Sequence, residues 1–544
     1  MDSPIMSTTT LPRVLRDRVA SAPEQVALID APTGLSVTFA EFGANVQTWA
    51  RRMAAHGVVA GDHVATLLGP TFDAYYVWIS LSGLGAVEVP INPQLKGRLL
   101  TYLLNHAEPR ILVTQSAFLE NLLSIADGLD TLEQIVVIDA AEGIEQTAGG
   151  LRVLSNPEFA AREIDVEFQY AERHDTACII YTSGTTGPPK GVVIPWGMQA
   201  TSIKRLPERI RGGSRYSFLS PAHLSGKSAL TSALTEERTL VLRETFSVSA
   251  FWEDIARYDC RVTQLFPAMI KYLLSQPPVD ADAKSPLQFM WTAPVTKDTK
   301  EFMRRFGVAV STGFGMTEIG GPIYGVDIDG TNLESCGGLN AADPRGYEVR
   351  LVDEHDREVE VGDVGELAVR TSVPWSLNAG YFRNPEATAA AWHNGWFHTG
   401  DALRQDSDGN FYFVDRFKDC IRRKGENISS FEVEAYALEV AGIAEAAAVG
   451  VPAEDGEQDV KIFLVASPGV SLNLAAVGLS LAQSMPRFMI PRFLEQVNAL
   501  PRTPTTGRAQ KGSLRSKPPG ARSWDRLAGS VPVPVRFQQE AGGR

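Results

Sequence analysis

The chain has 544 residues, 44% of them hydrophobic, with 51 Lys and Arg against 64 Asp and Glu for a formal net charge of −13. A chain this long buries a large core without disulfide or metal staples, and at roughly 150 residues per unit it spans about three to four domain-sized units. The acidic balance excludes a general nucleic-acid or anionic-membrane binder and leaves room only for a local basic groove. The four cysteines (Cys178, Cys260, Cys336, Cys420) show no CxxC spacing and read as reduced thiols of a cytoplasmic protein. The opening residues, MDSPIMSTTTLPRV, lack the basic and apolar regions of a secretory signal.

Taken in chain order, residues 64–69 (VATLLG) read as a strand and 74–82 as a helix; 111–115 (ILVTQ) read as a strand and 118–126 as a helix. This alternation runs through roughly the first 400 residues and predicts α/β layers with parallel strands. From about Gly346 the texture changes to short strands and turns (YEVRLVD, EHDR, GELAVR), which predicts a small β-rich subdomain. After residues 411–416 the chain passes into a compact α+β segment. There Ser429-Ser430-Phe431-Glu432 is a capping-box pattern that predicts a helix through Ala441. Residues 462–486 carry no charge, but Ser467-Pro468-Gly469, Asn473, Gln483 and Ser484 predict a strand, a turn and a helix rather than a membrane span. The last stretch is rich in Pro, Gly, Arg and Ser and reads as a tail.

The chemistry concentrates in residues 181–192, YTSGTTGPPKGV, which follow an apolar strand-like run at 177–180. Twelve residues hold three glycines, four Ser/Thr hydroxyls and Lys190. Glycines let backbone N–H groups approach a polyphosphate closely, and the hydroxyls add donors around it. The spacing is not that of a Walker A loop. This segment resembles the signature loop of the adenylate-forming superfamily, which contains acyl-CoA synthetases, luciferases and nonribosomal peptide adenylation domains. Further segments similar to that family's motifs follow in the family's order: 311–318 (STGFGMTE), 396–401 (WFHTGD), 412–428 (YFVDRFKDCIRRKGENI) and 500–511 (LPRTPTTGRAQK). The middle and C-terminal segments look most like the carnitine/crotonobetaine and short acyl or aryl–CoA ligase branch.

The resemblance implies an α/β fold with a large N-terminal domain at 15–415, preceded by an extension at 1–14. It also implies a hinge at 416–420, a small α+β domain at 421–515 that rotates on it, and a flexible tail at 516–544. It implies ATP, Mg²⁺ and coenzyme A as ligands, with a small carboxylic acid as substrate. Thr182, Ser183, Gly184, Thr185, Thr186, Gly187 and Lys190 would cradle phosphate, Thr317 would touch a phosphate oxygen, and Glu318 would hold Mg²⁺. Ala293, Pro294, Gly313, Phe314 and Gly315 would border the adenine, and Asp401 and Arg416 the ribose. Lys418 would be the hinge, with Lys424 and Gly425 along the thiol channel. His223, Trp291, Gly313 and Trp196 would line the acyl pocket.

The chain departs from the family pattern at three places. The C-terminal loop has one extra residue, with Arg508 where the family's catalytic lysine falls and Lys511 at a later position; either could enter the site. Arginine keeps the charge but has a bulkier, forked shape. Pro195-Trp196 stands where a Thr-His pair is usual, and Trp291 stands where a glycine is usual. A tryptophan there predicts a shallow pocket and argues against long-chain acids. The leading reading is an AMP-forming carboxylate–CoA ligase. Two others stay open: adenylation followed by transfer to an amine or a carrier-protein thiol, and a degenerate, non-catalytic adenylate sensor. Whether the chain forms a homodimer also stays open.

Overall fold

The computed structural model describes residues 9–141, 150–182, 188–199, 206–207, 210–280, 282–328, 330, 332–340, 343–416, 419, 421–423, 426–453, 458–485, 489–502, 509–517 and 523–527. Short apolar runs of β-branched residues become parallel strands buried on both faces, as expected for sheets covered by helices. One seven-stranded sheet has the order Arg152–Ser155, Gln134–Val137, Ile111–Thr114, His63–Leu67, Val87–Pro90, Thr176–Thr182, Lys190–Pro195. All its pairings are parallel except the last, which is antiparallel. The strand–helix units expected near residues 64 and 111 are present as His63–Leu67 with helix Phe72–Gly83 and Ile111–Thr114 with helix Ser116–Leu123.

A second, 14-stranded sheet starts at the Ser36–Thr38 edge and passes through Val26–Asp30, Leu240–Leu242, Ser214–Ser217, Cys260–Gln264, Phe289–Trp291 and Ala309–Met316. Beyond that strand the pairing turns antiparallel, through Gly320–Ile328, Ser335–Leu339, Asn410–Arg416, Trp396–Gln405 and Val364–Thr371 to Tyr347–Val352. The change of texture near Gly346 is therefore real, but the β-rich part is hydrogen-bonded into this long sheet through Gly337 and Phe411.

Helix Phe72–Gly83 lies between the two sheets. Every residue from Ala74 to Gly83 is buried, which suits a helix that is apolar on all sides. Helix Leu224–Thr235 packs against it, and Tyr75 Oη donates to Gly226 O at 3.1 Å. Beneath them Lys227 pairs with Glu88, both essentially inaccessible, while Thr66 Oγ1 donates to Glu88 Oε1 at 2.8 Å. Lys227 Nζ also sits 4.0 Å from the centre of the Trp78 ring.

After Arg416 a small hairpin, Ile421–Arg423 with Glu426–Ile428, leads into a separate four-stranded sheet. That sheet runs Ile443–Pro452, Gln458–Ala466, Phe493–Gln496, Ser523–Asp525. The capping pattern at 429–432 does start a helix: the Ser429 hydroxyl accepts from Glu432 N, and the helix runs Ser430–Leu438, ending before the expected Ala441. The uncharged stretch from 462 is strand, turn and helix Leu474–Ser484. No helix among the described residues is long and apolar enough to cross a membrane. Cys178 and Cys260 are buried free thiols and Cys336 is half-buried; burial pushes Cys178 up to about 12, so it is inert as a nucleophile at neutral pH. Cys420 lies outside the described residues.

Candidate active site

The strands Thr176–Thr182 and Lys190–Pro195 pair so that Thr182 stands opposite Lys190, at the two feet of the signature loop. Ser183, Gly184, Thr185, Thr186 and Gly187 lie outside the described residues. Both feet are braced by helix Gly97–Ala107. His106 Nδ1 is 2.7 Å from Tyr181 Oη, and Tyr102 Oη donates to Pro189 O at 3.3 Å. Burial and the nearby Arg383 push the His106 imidazole below its ordinary value, so a neutral ring meets the phenol.

Thr317 and Glu318 sit in the turn that joins strand Ala309–Met316 to Gly320–Ile328. Gly315 is required beside it, because a Cβ there would meet Gly320 O at 2.1 Å; one at Gly313 would meet Ile323 O at 2.6 Å. Glu318 is a turn residue, yet it is only 5% exposed. The segment around Asn378 covers it: Asn378 N and Nδ2 donate to Glu318 O at 3.2 and 2.7 Å, and Tyr381 Oη donates to Glu318 Oε1 at 3.1 Å. Burial raises the Glu318 carboxyl, while the Tyr381 hydrogen bond and the charges of Arg416 and Lys190 pull it back down. A buried, hard-oxygen donor suits a Mg²⁺ whose remaining positions would come from phosphate and water, and the positive charges of Lys190 and Arg416 suit the phosphates. Among the described residues no group of three or more His, Cys, Asp or Glu forms an all-protein metal cage.

Asp401 and Arg416 are cross-strand neighbours, with Arg416 Nε 2.8 Å from Asp401 Oδ1. Asp401 is buried and Arg416 is half-exposed, so the guanidinium is the part of the pair that reaches solvent. The Phe314 ring stacks on Phe413 with centroids 6.0 Å apart and planes at 19°. Phe413 is 40% exposed, so this aromatic pair reaches solvent, where a purine can be taken up. The Ala293–Pro294 peptide is cis and follows strand Phe289–Trp291.

His223 stands at the N-cap position of helix Leu224–Thr235 with no side-chain capping bond, and its Nε2 lies 3.4 Å from Asn92 Nδ2. Burial holds the His223 imidazole below its ordinary value, which leaves it uncharged at neutral pH. Trp291 packs against the cluster of Ile210, Val262 and Phe289, on the sheet face opposite Met290. Its indole Nε1 is buried with no hydrogen-bond partner among the described residues. Trp196, expected at the acyl pocket, is a core residue instead. It is 1% exposed, begins a short helix, and stacks on Trp78 at 5.1 Å, the ring that in turn faces the Lys227 ammonium.

Lys511 is engaged with residues of the C-terminal segment. Its Nζ is 2.7 Å from Glu434 Oε1 and donates to the Ser430 hydroxyl, which in turn donates to Asp415. Arg515, one turn further on, pairs with Asp419. Helix Lys511–Arg515 is thus fastened to the segment where the hinge is expected. Arg508, Lys418, Lys424 and Gly425 lie outside the described residues. Two contributors were missed by sequence reasoning, Tyr381 and Asn378. Both fall in GYFRNPEATAAAW or immediately before it, a run whose likeness to the ligase branch was the only available signal.

Two unequal α/β units of this architecture are the fold of the adenylate-forming enzymes. The chain belongs to the AMP-binding enzyme family: that family's model matches residues 15–382, and the model of the AMP-binding enzyme C-terminal domain matches residues 432–506. It is similar to the crotonobetaine/carnitine–CoA ligase of Salmonella heidelberg (strain SL476), 31% identical over 490 residues, covering 88% of this chain and 93% of the relative. The structure resembles O-succinylbenzoate coenzyme A synthetase from Bacillus subtilis in complex with its acyl-adenylate intermediate. There the TM-score is 0.78 at 25% identity, covering 94% of this chain and 99% of that one. The same enzyme bound to ATP and magnesium ion gives a TM-score of 0.76 at 26% identity, covering 93% and 100%.

Proposed function

We propose that the chain activates a small or aromatic carboxylic acid with ATP and transfers the acyl group to coenzyme A. The observation that supports this reading is the buried Glu318 carboxylate held by the Tyr381 hydroxyl, with the Lys190 ammonium over the same ring, an arrangement suited to a metal–polyphosphate. In the first half-reaction a carboxylate oxygen of the acid attacks the α-phosphorus of ATP, the bond to the bridging oxygen breaks, and pyrophosphate leaves. Two anions must meet, so the site has to neutralise charge and hold them in line. Lys190 and the signature loop take the β- and γ-phosphates, Asp401 and Arg416 the ribose, and Phe314 the adenine. When bound at Glu318, Mg²⁺ supplies charge neutralisation across the phosphate oxygens. In the second half-reaction the thiolate attacks the acyl carbon and AMP leaves.

Arg508 takes the place of the family's catalytic lysine in this reading. The Lys511–Glu434 and Lys511–Ser430 contacts favour it, since they engage Lys511 elsewhere. Arg508→Ala is expected to lower ATP–pyrophosphate exchange by about a hundredfold or more, as removal of a transition-state donor does, while Lys511→Ala leaves exchange within a few-fold. Unaffected exchange in Arg508→Ala would sink the assignment. Trp291 confines the acid to short, branched or aromatic chains. Turnover of long-chain acids alone would contradict that. The function itself is tested by mass detection of acyl-CoA after incubation with ATP, Mg²⁺, acid and CoA; an amide or an acyl-carrier product would redirect the second step.

A further inference from the structure

Lys190 and Glu318 carry opposite charges and both meet Tyr381, yet among the described residues no ion pair joins them. Tyr381 stands between them instead. Its hydroxyl donates to Glu318 Oε1 at 3.1 Å, and the Lys190 ammonium lies 4.9 Å from the centre of its ring. The backbone on either side is fastened to the same two elements. Ala379 N donates to Val193 O at 2.9 Å, Val193 N to Gly380 O at 3.0 Å and Phe382 N to Gly191 O at 2.7 Å, which makes this segment a partner of the strand that starts at Lys190. Tyr381 N donates to Thr388 Oγ1, and Asn378 Oδ1 accepts from Gly380 N and Trp392 Nε1, so the segment is rigid from both ends.

We propose that Tyr381 is a positioning residue that keeps the Glu318 carboxylate aimed at the metal and separate from the Lys190 ammonium. A direct Lys–Glu pair would satisfy both charges and leave neither for the ligand. A neutral hydroxyl and an aromatic face hold each group with a weaker contact that a metal ion or a phosphate can outcompete. This rests on the adenylating reading of the site and adds to it the device that keeps two opposite charges apart before ATP arrives.

The test is equilibrium binding of ATP by calorimetry, in EDTA and across a range of Mg²⁺ concentrations, with Mn²⁺ as a paramagnetic probe of the metal itself. Tyr381→Phe keeps the ring and removes only the hydroxyl. It is expected to bind ATP in EDTA within about twofold of wild type but to need about tenfold more Mg²⁺ for tight binding, the usual size of a lost hydrogen bond to a charged group. In a Glu318→Gln background the same substitution should change nothing further, because its route of action is gone. An unchanged Mg²⁺ requirement in Tyr381→Phe overturns the proposal, and so does an equal loss with and without metal. A full additional effect in the Glu318→Gln background overturns it as well, even if one variant is unstable on heating. Wild-type protein that binds no ATP at all overturns the adenylating reading together with the proposal.

Discussion

Glu318→Gln is expected to lower acid-dependent ATP–pyrophosphate exchange by about 10²- to 10³-fold, the range seen when one preorganised charge-stabilising group is removed from an active site. The same variant should be as stable as wild type or more so. Glu318 is 5% exposed, and burial raises its carboxyl, so the ionised form is held at a cost to the empty protein. The amide keeps the volume and still accepts from Tyr381 while removing the charge. Stability retained with activity lost is the signature of a group kept for its ligand. Thermal unfolding and exchange measured on one preparation check both halves. A variant that loses stability in step with activity would mark Glu318 as structural.

The second large effect is on stability. Lys227→Met removes the partner of a buried carboxylate and is expected to cost about 3 to 5 kcal/mol, because Glu88 is then left with only the Thr66 hydroxyl in an apolar core. The paired variant Glu88→Gln/Lys227→Met should recover most of that, since a buried ion pair contributes little over a neutral isostere once desolvation is included. The pH dependence has a definite sign. Burial already raises the Glu88 carboxyl, with Lys227 opposing it. Without Lys227 the folded state binds that proton more tightly than the unfolded state. The penalty is then present at neutral pH and shrinks as pH falls through the raised folded value. Urea unfolding of the single and double variants at pH 7 and pH 5 checks the prediction. Equal stability of the single variant and wild type at pH 7 would contradict it. His223 stands at the N-cap position of helix Leu224–Thr235, which carries Lys227, so loosening this pair should also shift His223.

What could be read from the chain in advance followed from how locally each feature is written. The signature loop, the GFGMTE turn and the HTGD strand are contiguous runs in which residue type and spacing carry the chemistry. Tyr381 and Asn378 were illegible in that role. They reach Glu318 across about 60 residues only because the segment between strands Val364–Thr371 and Trp396–Gln405 returns to pair with Gly191 and Val193. Trp196 was assigned to the pocket from its position after the loop. Its burial against Trp78 depends on a helix more than a hundred residues earlier, as the Lys227 pairing depends on Glu88, 139 residues away. Long-range packing of this kind leaves no local pattern to read.

The central claim, that this site adenylates a small or aromatic acid, is tested most directly by an ATP–pyrophosphate exchange screen over short, branched, aromatic and long-chain acids. The structure predicts Mg²⁺- and acid-dependent exchange with at least one short, branched or aromatic acid and none with long-chain acids. Absence of exchange with every acid, or exchange with long-chain acids alone, would contradict it.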